Sequence, residues 1–464
     1  MTQKSSRAPK AVFDAPAPRI FSIPPSAPFV EALATTLAEA CGLDASADAL
    51  AEAVVFLPNR RAARAFAEAL HDAARRAGRP ALIAPDIRVL GDLDEDDGRL
   101  TPSDLTLPPV LSPAKRRGAL FRLIQRWRAA QRDPTLPPLP PGSALAAADE
   151  LAALLDQSAM GEDADWARLK DVAMEADLAA HWHKSASFLD IVAAQWPRHL
   201  EEKSASDPLA RRHAAAEAQA AVWAKEPPAH PVVVAGSTGA TPASRTLMRA
   251  AMLLPKGAIV LPGLDPELSA AAWDEIGRAP SHPQFTLGRA LDRLGVSPDS
   301  VEPWPGADEA QTARARRLLI NEALAPATRT KDWTRRLVQL AGEKGPTDLI
   351  QNGLDGLALI EAEDQGDEAL LAALLLREAL ETPDRTAALV TPDPGLARRT
   401  SSLLARWDVA LTPSGGTPLL QTSPGRYLGL LGQWARDPAD PVLLLSVLKH
   451  ELTRLGAERG CFGV

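Results

Sequence analysis

The feature that most constrains the fold of this 464-residue chain is a recurring unit in which a short, mostly aliphatic run is followed by a turn and an amphipathic helix. The first unit, RIFSIPPSAPFVEALATTLAEA, predicts a strand at Ile20–Ile23 and a helix with Phe29, Leu33 and Leu37 on one face. Strands that alternate with helices are typical of a parallel sheet with helices on its faces. The chain is therefore predicted to be an α/β protein.

The same unit recurs along the chain. Residues 53–78 (AVVFLPNRRAARAFAEALHDAARRAG) predict a strand at Val54–Leu57 and a helix that stops at Gly78. The pattern returns in later segments, which are residues 231–254 (PVVVAGSTGATPASRTLMRAAMLL), 257–265 (GAIVLPGLD), 357–381 and 386–419.

These units predict five segments. The sequence is helical from about residue 143 to 224 without a strand signal, which predicts a helical insertion, and a polar, loop-prone region at 302–356 precedes the last units. The segments are a disordered lead (1–18), the first part of an α/β domain (19–113), the insertion (114–228), the second part of that domain (229–345) and a second α/β domain (346–464).

Bulk properties favour a cytoplasmic protein. The sequence lacks an apolar run of the ~18 residues that a membrane span needs, and its first residues lack the apolar centre of a secretory signal. Cys41 and Cys461 lie at opposite ends of the chain, so they are interpreted as plain thiols. The net charge of −8 argues against a uniformly basic surface, but a local basic groove is compatible with it because charges more than ~10 Å apart are screened.

The first turn has the position of a phosphate-binding loop but not its chemistry. Such a loop needs glycines that expose backbone N–H groups, a lysine for the β and γ phosphates and a hydroxyl for Mg²⁺. PPSAP has two prolines that donate no N–H and offers only Ser26 as a hydroxyl. GSTG at Gly236–Gly239 also follows a strand, but no lysine comes after it. The sequence therefore predicts no nucleotide-binding residues and no ATP hydrolysis.

Other catalytic and metal patterns are also incomplete. The acidic run GDLDEDDGRL spaces Asp92, Asp94 and Asp96 as a calcium loop would, but it has Asp97 where the glycine belongs and Ser103 where the bidentate glutamate belongs. The His181–His183 pair has the wrong spacing for a zinc helix, and the single ExK sequence, at residues 201–203, lies in a helical context. We predict no catalytic residue, metal ligand or cofactor.

Two basic segments are more informative. AKRRGALFRLIQRWRAAQR forms a predicted helix from about residue 114 to 131 with a basic face that includes Arg122 and Arg126. NRRAARAF places Arg60 and Arg61 where a strand meets a helix N-terminus, a region in which open α/β sheets bind ligands. A row of cations suits phosphate contacts, although a solvated helix face would account for the same residues.

Taken together, several segments resemble the N-terminal half of AddB of the alphaproteobacterial type, a subunit of the AddAB helicase-nuclease that processes double-strand DNA breaks. They include FSIPPSAPFVEAL, VVFLPNRRAARAFAEAL, RVLGDLDED, VVVAGSTGATPASRTLM, IVLPGLD, SHPQFTLGRALDRLG and AALVTPDPGLARR. The resemblance extends from about Ile20 to Leu455.

The resemblance implies a UvrD-like helicase architecture, with a degenerate RecA-like domain, a helical insertion and an incomplete second RecA-like domain. It implies that an AddA-like subunit supplies the motor, and that this chain guides double-strand ends or single strands. By the same likeness the DNA-contacting residues are Asn59, Arg60, Arg61, Arg64, Ser237 and Thr238.

The sequence also departs from the family. It stops before the C-terminal nuclease region, and its last residues, ERGCFGV, match no part of the family, which we interpret as a truncated or frameshifted gene. Whether this chain is an enzyme is therefore open, because the family's nuclease domain and a functional Walker A motif are both missing. Two alternative functions stay open, a Rossmann-like transferase with its nucleotide at GSTGATP and a purely structural subunit that binds only its partner.

Overall fold

The computed structural model describes residues 12–92, 107–131, 139–160, 188–325, 333–342, 345–383 and 385–454. The chain divides into two compact units, Met1–Asp355 and Gly356–Val464. The boundary therefore falls about one helix later than the predicted boundary after residue 345.

A six-stranded parallel sheet organises the first unit, as the sequence predicted. The strand order is β3-β2-β4-β5-β1-β6. The strands are β1 (Ile20–Ile23), β2 (Val54–Leu57), β3 (Asp86–Val89), β4 (Val232–Ala235), β5 (Gly257–Pro262) and β6 (Glu302–Pro303). This is an α/β architecture consistent with a RecA-like fold.

Helices cover both faces of the sheet because alternate strand residues point to opposite sides. Phe21 and Val233 pack with α1 (Phe29–Cys41) and α2 (Arg60–Arg76) in one core. Ile20 and Val234 belong to the other core. The helices that contribute to this second core are α6 (Pro208–Lys225), α7 (Pro242–Ala251) and α9 (Phe285–Leu294), and the short α8 (Ala270–Ile276) supplies Trp273 at its margin.

The predicted disordered lead is wrong for its last residues. Val12 is fully buried and Ala15 is 6% exposed, and Val12 packs into the core that contains α1 and α2. Apolar side chains within AVFDAPAP provide the driving force for this packing.

The helical insertion has a core of its own. Leu120 and Ile124 of α3 (Pro113–Ala130) pack with Leu151 of α4 (Pro141–Met160) and with Trp196 of α5 (Trp196–Glu202). The insertion does not extend to residue 228 as a separate body, because Ala216 and Trp223 of α6 pack into the sheet core.

The described residues between 302 and 355 correct another prediction, because they are mainly helical instead of loop-prone. After β6 come α10 (Gln311–Ala323), α11 (Trp333–Ala341) and α12 (Gly345–Leu354). Leu318 of α10 and Leu349 of α12 form the centre of a small apolar cluster, which holds these helices to each other.

The second unit is helical in its described part. Its helices are α13 (Gln365–Ala379), α14 (Pro394–Ala405), α15 (Ser423–Arg436) and α16 (Pro441–Lys449). Strands were expected ahead of α13 and α14, but residues 356–383 and 385–454 contain no strand. The aliphatic side chains there stay in solvent, with Leu359 89% and Val390 93% exposed. The sheet that a second RecA-like domain requires is therefore not formed by the described residues.

Candidate functional site

A cleft opens at the carboxyl edge of the sheet, between the loops that follow β2 and β4. These strands are neighbours, but β2 leads outward to β3 while β4 leads to β5 on the other side. The helices after them, α2 and α7, therefore pack on opposite faces. Diverging connections of this kind leave a crevice in which open α/β sheets bind ligands. The cleft has a volume of about 230 Å³, and Pro58, Gly236, Thr238, Met160 and Arg212 are among its lining residues.

The loop after β2 presents the first group of predicted DNA-contacting residues. Asn59 caps α2, because its side-chain oxygen accepts a hydrogen bond from the Ala62 N–H at 2.9 Å. Arg60 begins the helix and is exposed. Arg61 is also exposed and makes no hydrogen bond or ion pair within the described part of the chain. Arg64 forms an exposed pair with Glu68 at 3.3 Å, an interaction worth at most ~1 kcal/mol.

Hydrogen bonds within the loop after β4, and one from Arg245, hold the conformation of that loop. Ser237 is 8% exposed, and its hydroxyl accepts a hydrogen bond from the Gly239 N–H at 3.1 Å. The buried Arg245 guanidinium donates to the Gly239 carbonyl at 2.7 Å. Gly239 has a φ of 66°, and a Cβ there would lie 2.7 Å from that of Ala290. Thr238 stays half-exposed, so it is the residue of this pair that a ligand reaches more easily.

The start of α7 offers few donors to an anion. Thr241 and Ser244 form a capping box, in which each side chain accepts from the backbone N–H of the other. Pro242 occupies the first turn and has no N–H. A phosphate at GSTGATP would therefore find most of the usual helix N-terminal donors absent or already bonded.

The PPSAP turn after β1 also has donors that are already hydrogen-bonded within the protein and so are not offered to a phosphate. The Ala27 N–H donates to the Pro24 carbonyl at 3.1 Å, which uses one donor inside the turn. The Ser26 hydroxyl donates to a carboxylate oxygen of Glu309 at 3.2 Å. A carboxylate therefore binds the one hydroxyl that could contact a nucleotide or its metal.

Glu309 belongs to a buried ionic cluster, defined here as Asp265, Glu267, Glu309, Arg317 and Asn321. The Arg317 side chain pairs with Glu309 at 2.9 Å, with Glu267 at 3.1 Å and with Asp265. Asn321 donates its amide to Asp265. Burial raises the pKa of Asp265 against the opposing effect of Arg317.

The charge balance of the cluster opposes anion binding. Three carboxylates surround Arg317, and the exposed Arg314 contacts only Glu267 among them. Asp265 lies in the loop after β5, which is adjacent to β1 in the sheet. Gly263 of the same loop lies beside the PPSAP turn, since a Cβ on it would be in ordinary van der Waals contact with Pro25 at 3.6 Å. A triphosphate in this position would meet carboxylates in place of amides and a lysine.

The predicted site residues do not all come together. Asn59, Arg60, Arg61, Arg64, Ser237 and Thr238 lie in or beside the two loops at the sheet edge. Arg122 and Arg126 instead lie on α3 of the helical insertion, both exposed. The basic face of α3 is also shorter than predicted, because Arg116 is buried and paired with Asp156 at 2.8 Å and Asp207 at 3.1 Å.

Sequence reasoning missed the ionic cluster and part of the cleft wall. Asp265 and Arg317 are 52 positions apart, and neither stands in a recognisable motif. Met160 and Arg212 reach the cleft from the helical insertion and α6. The only available signal was the GLD sequence directly after the β5 strand, which placed an acid at the sheet edge.

The described residues contain no group of three or more His, Cys, Asp or Glu side chains placed to hold a metal ion. Asp94, Asp96 and the His181–His183 pair lie outside the described residues. Among the helices that the structure describes, none is long and apolar enough to span a membrane.

No protein-family model matches the chain, and no curated protein matches it.

Proposed function

We propose that this chain is the non-catalytic, DNA-binding portion of an AddB-like helicase-nuclease subunit that acts in double-strand break repair and recombination. Its first unit would be an inactivated RecA-like domain with a helical insertion, in a UvrD-like architecture, that guides DNA ends or single strands beside an AddA-like motor. The supporting observation is that two positions at the same edge of the sheet hold side chains of opposite charge. Carboxylates occupy the nucleotide position after β1, whereas the loop after β2 exposes arginines beside an open cleft.

Electrostatics at the start of α2 favour an anionic ligand. The N-terminus of a helix carries a partial positive charge, so cations there raise the local potential further. Arg60 and Arg61 occupy the first turn, which contains no acidic residue. DNA phosphates would neutralise this charge. A ligand that binds through its phosphate backbone would need neither the lysine nor the metal ion of a nucleotide site.

Salt-dependent DNA binding tests the proposal. Fluorescence anisotropy of labelled single-stranded and blunt-ended duplex oligonucleotides would be measured with the full chain over a KCl series. The logarithm of the affinity should fall steeply with the logarithm of salt, and Arg61→Ala should flatten the slope by about one. Arg75→Ala is the matched control, because Arg75 lies at the other end of α2 and pairs with Asp72 at 2.5 Å.

Two outcomes would count against the proposal. A folded chain that binds no DNA but retains a protein partner would favour the purely structural role. Equal salt slopes for the Arg61→Ala and Arg75→Ala variants would place the DNA contacts away from the α2 N-terminus.

A further inference from the structure

A second cationic surface lies in the helical insertion, where α3 packs beside α5. Trp196 and Leu200 of α5 belong to the same apolar core as α3. Residues four apart on a helix share a face, so Arg122 and Arg126 form one row on α3, and His199 and Lys203 form another along α5 and its C-cap. These four residues define the α3–α5 seam.

The two rows are close enough to affect each other electrostatically. Burial lowers the pKa of His199, and the positive charges of Lys203, Arg122 and Arg126 lower it further, while Glu202 opposes them. The His199 ring stacks on Trp196 with centroids 5.7 Å apart and planes 25° apart, which restrains its orientation. The seam therefore concentrates three permanent cations around one imidazole.

The seam arginines differ from those at the start of α3. Arg116 and Arg117 are used internally, since Arg116 pairs with Asp156 and Asp207, and Arg117 pairs with Asp149 at 2.7 Å. Arg122 and Arg126 make no hydrogen bond or ion pair with any residue that the structure describes. Arg116 and Arg117 therefore pair with acidic residues of this chain, whereas Arg122 and Arg126 are available to a ligand.

We propose that the α3–α5 seam is a second binding track for nucleic-acid phosphates, in which His199 makes the affinity depend on pH. This inference rests on the proposed function, because it assigns a further part of the DNA path to the helical insertion. Arg122 and Arg126 on α3, together with Lys203 at the end of the adjacent α5, offer three cations to consecutive phosphates of a backbone, which are anionic and evenly spaced.

The direction of the pH effect follows from linkage. Neighbouring cations disfavour the protonated imidazole in the free protein, whereas a bound phosphate would stabilise it. The pKa of His199 should therefore rise on binding, so that binding takes up a proton and affinity increases as the pH falls through the range in which histidine titrates. A rise of one pKa unit corresponds to a gain of about tenfold in affinity at low pH.

The test uses the full chain and a fluorescein-labelled blunt-ended duplex oligonucleotide. An Arg122→Ala, Arg126→Ala double variant should flatten the salt slope by about two, while the Arg122→Lys, Arg126→Lys variant should keep most of the slope. Arg117→Ala is the matched control on the same helix and should leave the slope unchanged. Circular dichroism melts of each variant would establish that the helical insertion stays folded.

Measurement of the DNA affinity as a function of pH separates the role of His199 from a general effect of charge. Wild-type affinity should increase from about pH 8 to about pH 5, and His199→Gln should remove most of that increase. His213→Gln is the control, since His213 lies on α6 and contacts Glu217 at 3.4 Å. A pH response that persists without His199 would overturn its assignment.

The failures of the two proposals are distinguishable. If the double variant keeps the wild-type salt slope while Arg61→Ala lowers it, the seam assignment is wrong and the proposed function stands. If wild-type protein binds no DNA at any pH or salt concentration, both are wrong.

Discussion

At the scale of single residues, Arg317 carries the largest predicted effect on stability. Its buried guanidinium pairs with Asp265, Glu267 and Glu309, and removal of one partner from a buried ionic group typically costs about 3–5 kcal/mol. Arg317→Ala should lower the free energy of unfolding by that amount in urea denaturation. Arg314→Ala is the matched control: its side chain is 51% exposed, so its loss should cost at most ~1 kcal/mol. Equal costs for the two variants would show that the cluster is not electrostatically coupled.

Cys41 provides a prediction about reactivity. Burial raises the pKa of its thiol to about 11, against a smaller opposing effect of Lys256. Because the thiolate is the reactive form, Cys41 should react roughly 100-fold more slowly at pH 8 than a thiol with a pKa near 9. A Cys461→Ser variant isolates this thiol for labelling with a chromogenic disulfide reagent. Fast labelling of the native protein, before denaturant is added, would contradict the burial.

Residue-level predictions from sequence succeeded where the cause was local. Arg60 and Arg61 were predicted to lie where a strand meets the N-terminus of a helix, and α2 begins at Arg60. The burial of Arg116 was not predicted, because Asp207, its partner, is 91 positions away and no pattern connects the two. Val12 was missed since a short apolar run among prolines and charges gives no periodic signal.

At the scale of elements, sequence reasoning identified four strands because each is a short apolar run ahead of a helix. The bounds of β1 and β2 are confirmed residue for residue. The two outer strands, β3 and β6, were missed. Their sequences are DIRV and EP, and all their residues are only half-buried. Because these strands lie at the edges of the sheet, their sequences lack the apolar run by which the inner strands were recognised. The same reasoning expected a strand at the start of residues 357–381 and another at the start of residues 386–419, where the composition is right but the described residues form no paired strand.

Hydrogen exchange tests the elements of the second unit. Backbone amides in residues 386–390 have no strand partner, and their side chains are largely exposed. They should exchange near the rate of an unprotected amide, whereas amides of the buried β2 and β4 should be protected by the global unfolding free energy. Mass spectrometry of peptides from both regions would measure this difference. Protection of 386–390 at the level of β2 would mean that those residues pair in a sheet.

At the scale of the whole molecule, the first unit is an α/β unit consistent with a RecA-like fold, but the turn after β1 lacks the groups that bind a triphosphate. A parallel sheet, helices on both faces and a turn after β1 are present. Prolines, a carboxylate on Ser26 and the ionic cluster stand where amides, a lysine and a metal would be needed. The sequence alone predicted that the turn after β1 lacks the lysine and the backbone donors of a phosphate-binding loop. Only the fold shows that Glu309 and the other acids of the ionic cluster, which come from distant segments, occupy the space at this turn.

The central claim is that this unit holds a polyanion without using nucleotide. The most direct test measures binding of a labelled single strand to the full chain over a KCl series, with and without Mg-ATP, together with ATP hydrolysis. We expect a steep salt dependence that Mg-ATP leaves unchanged, and no turnover above background. Affinity that changes with Mg-ATP, or hydrolysis that is lost on Ser26→Ala substitution, would contradict the claim.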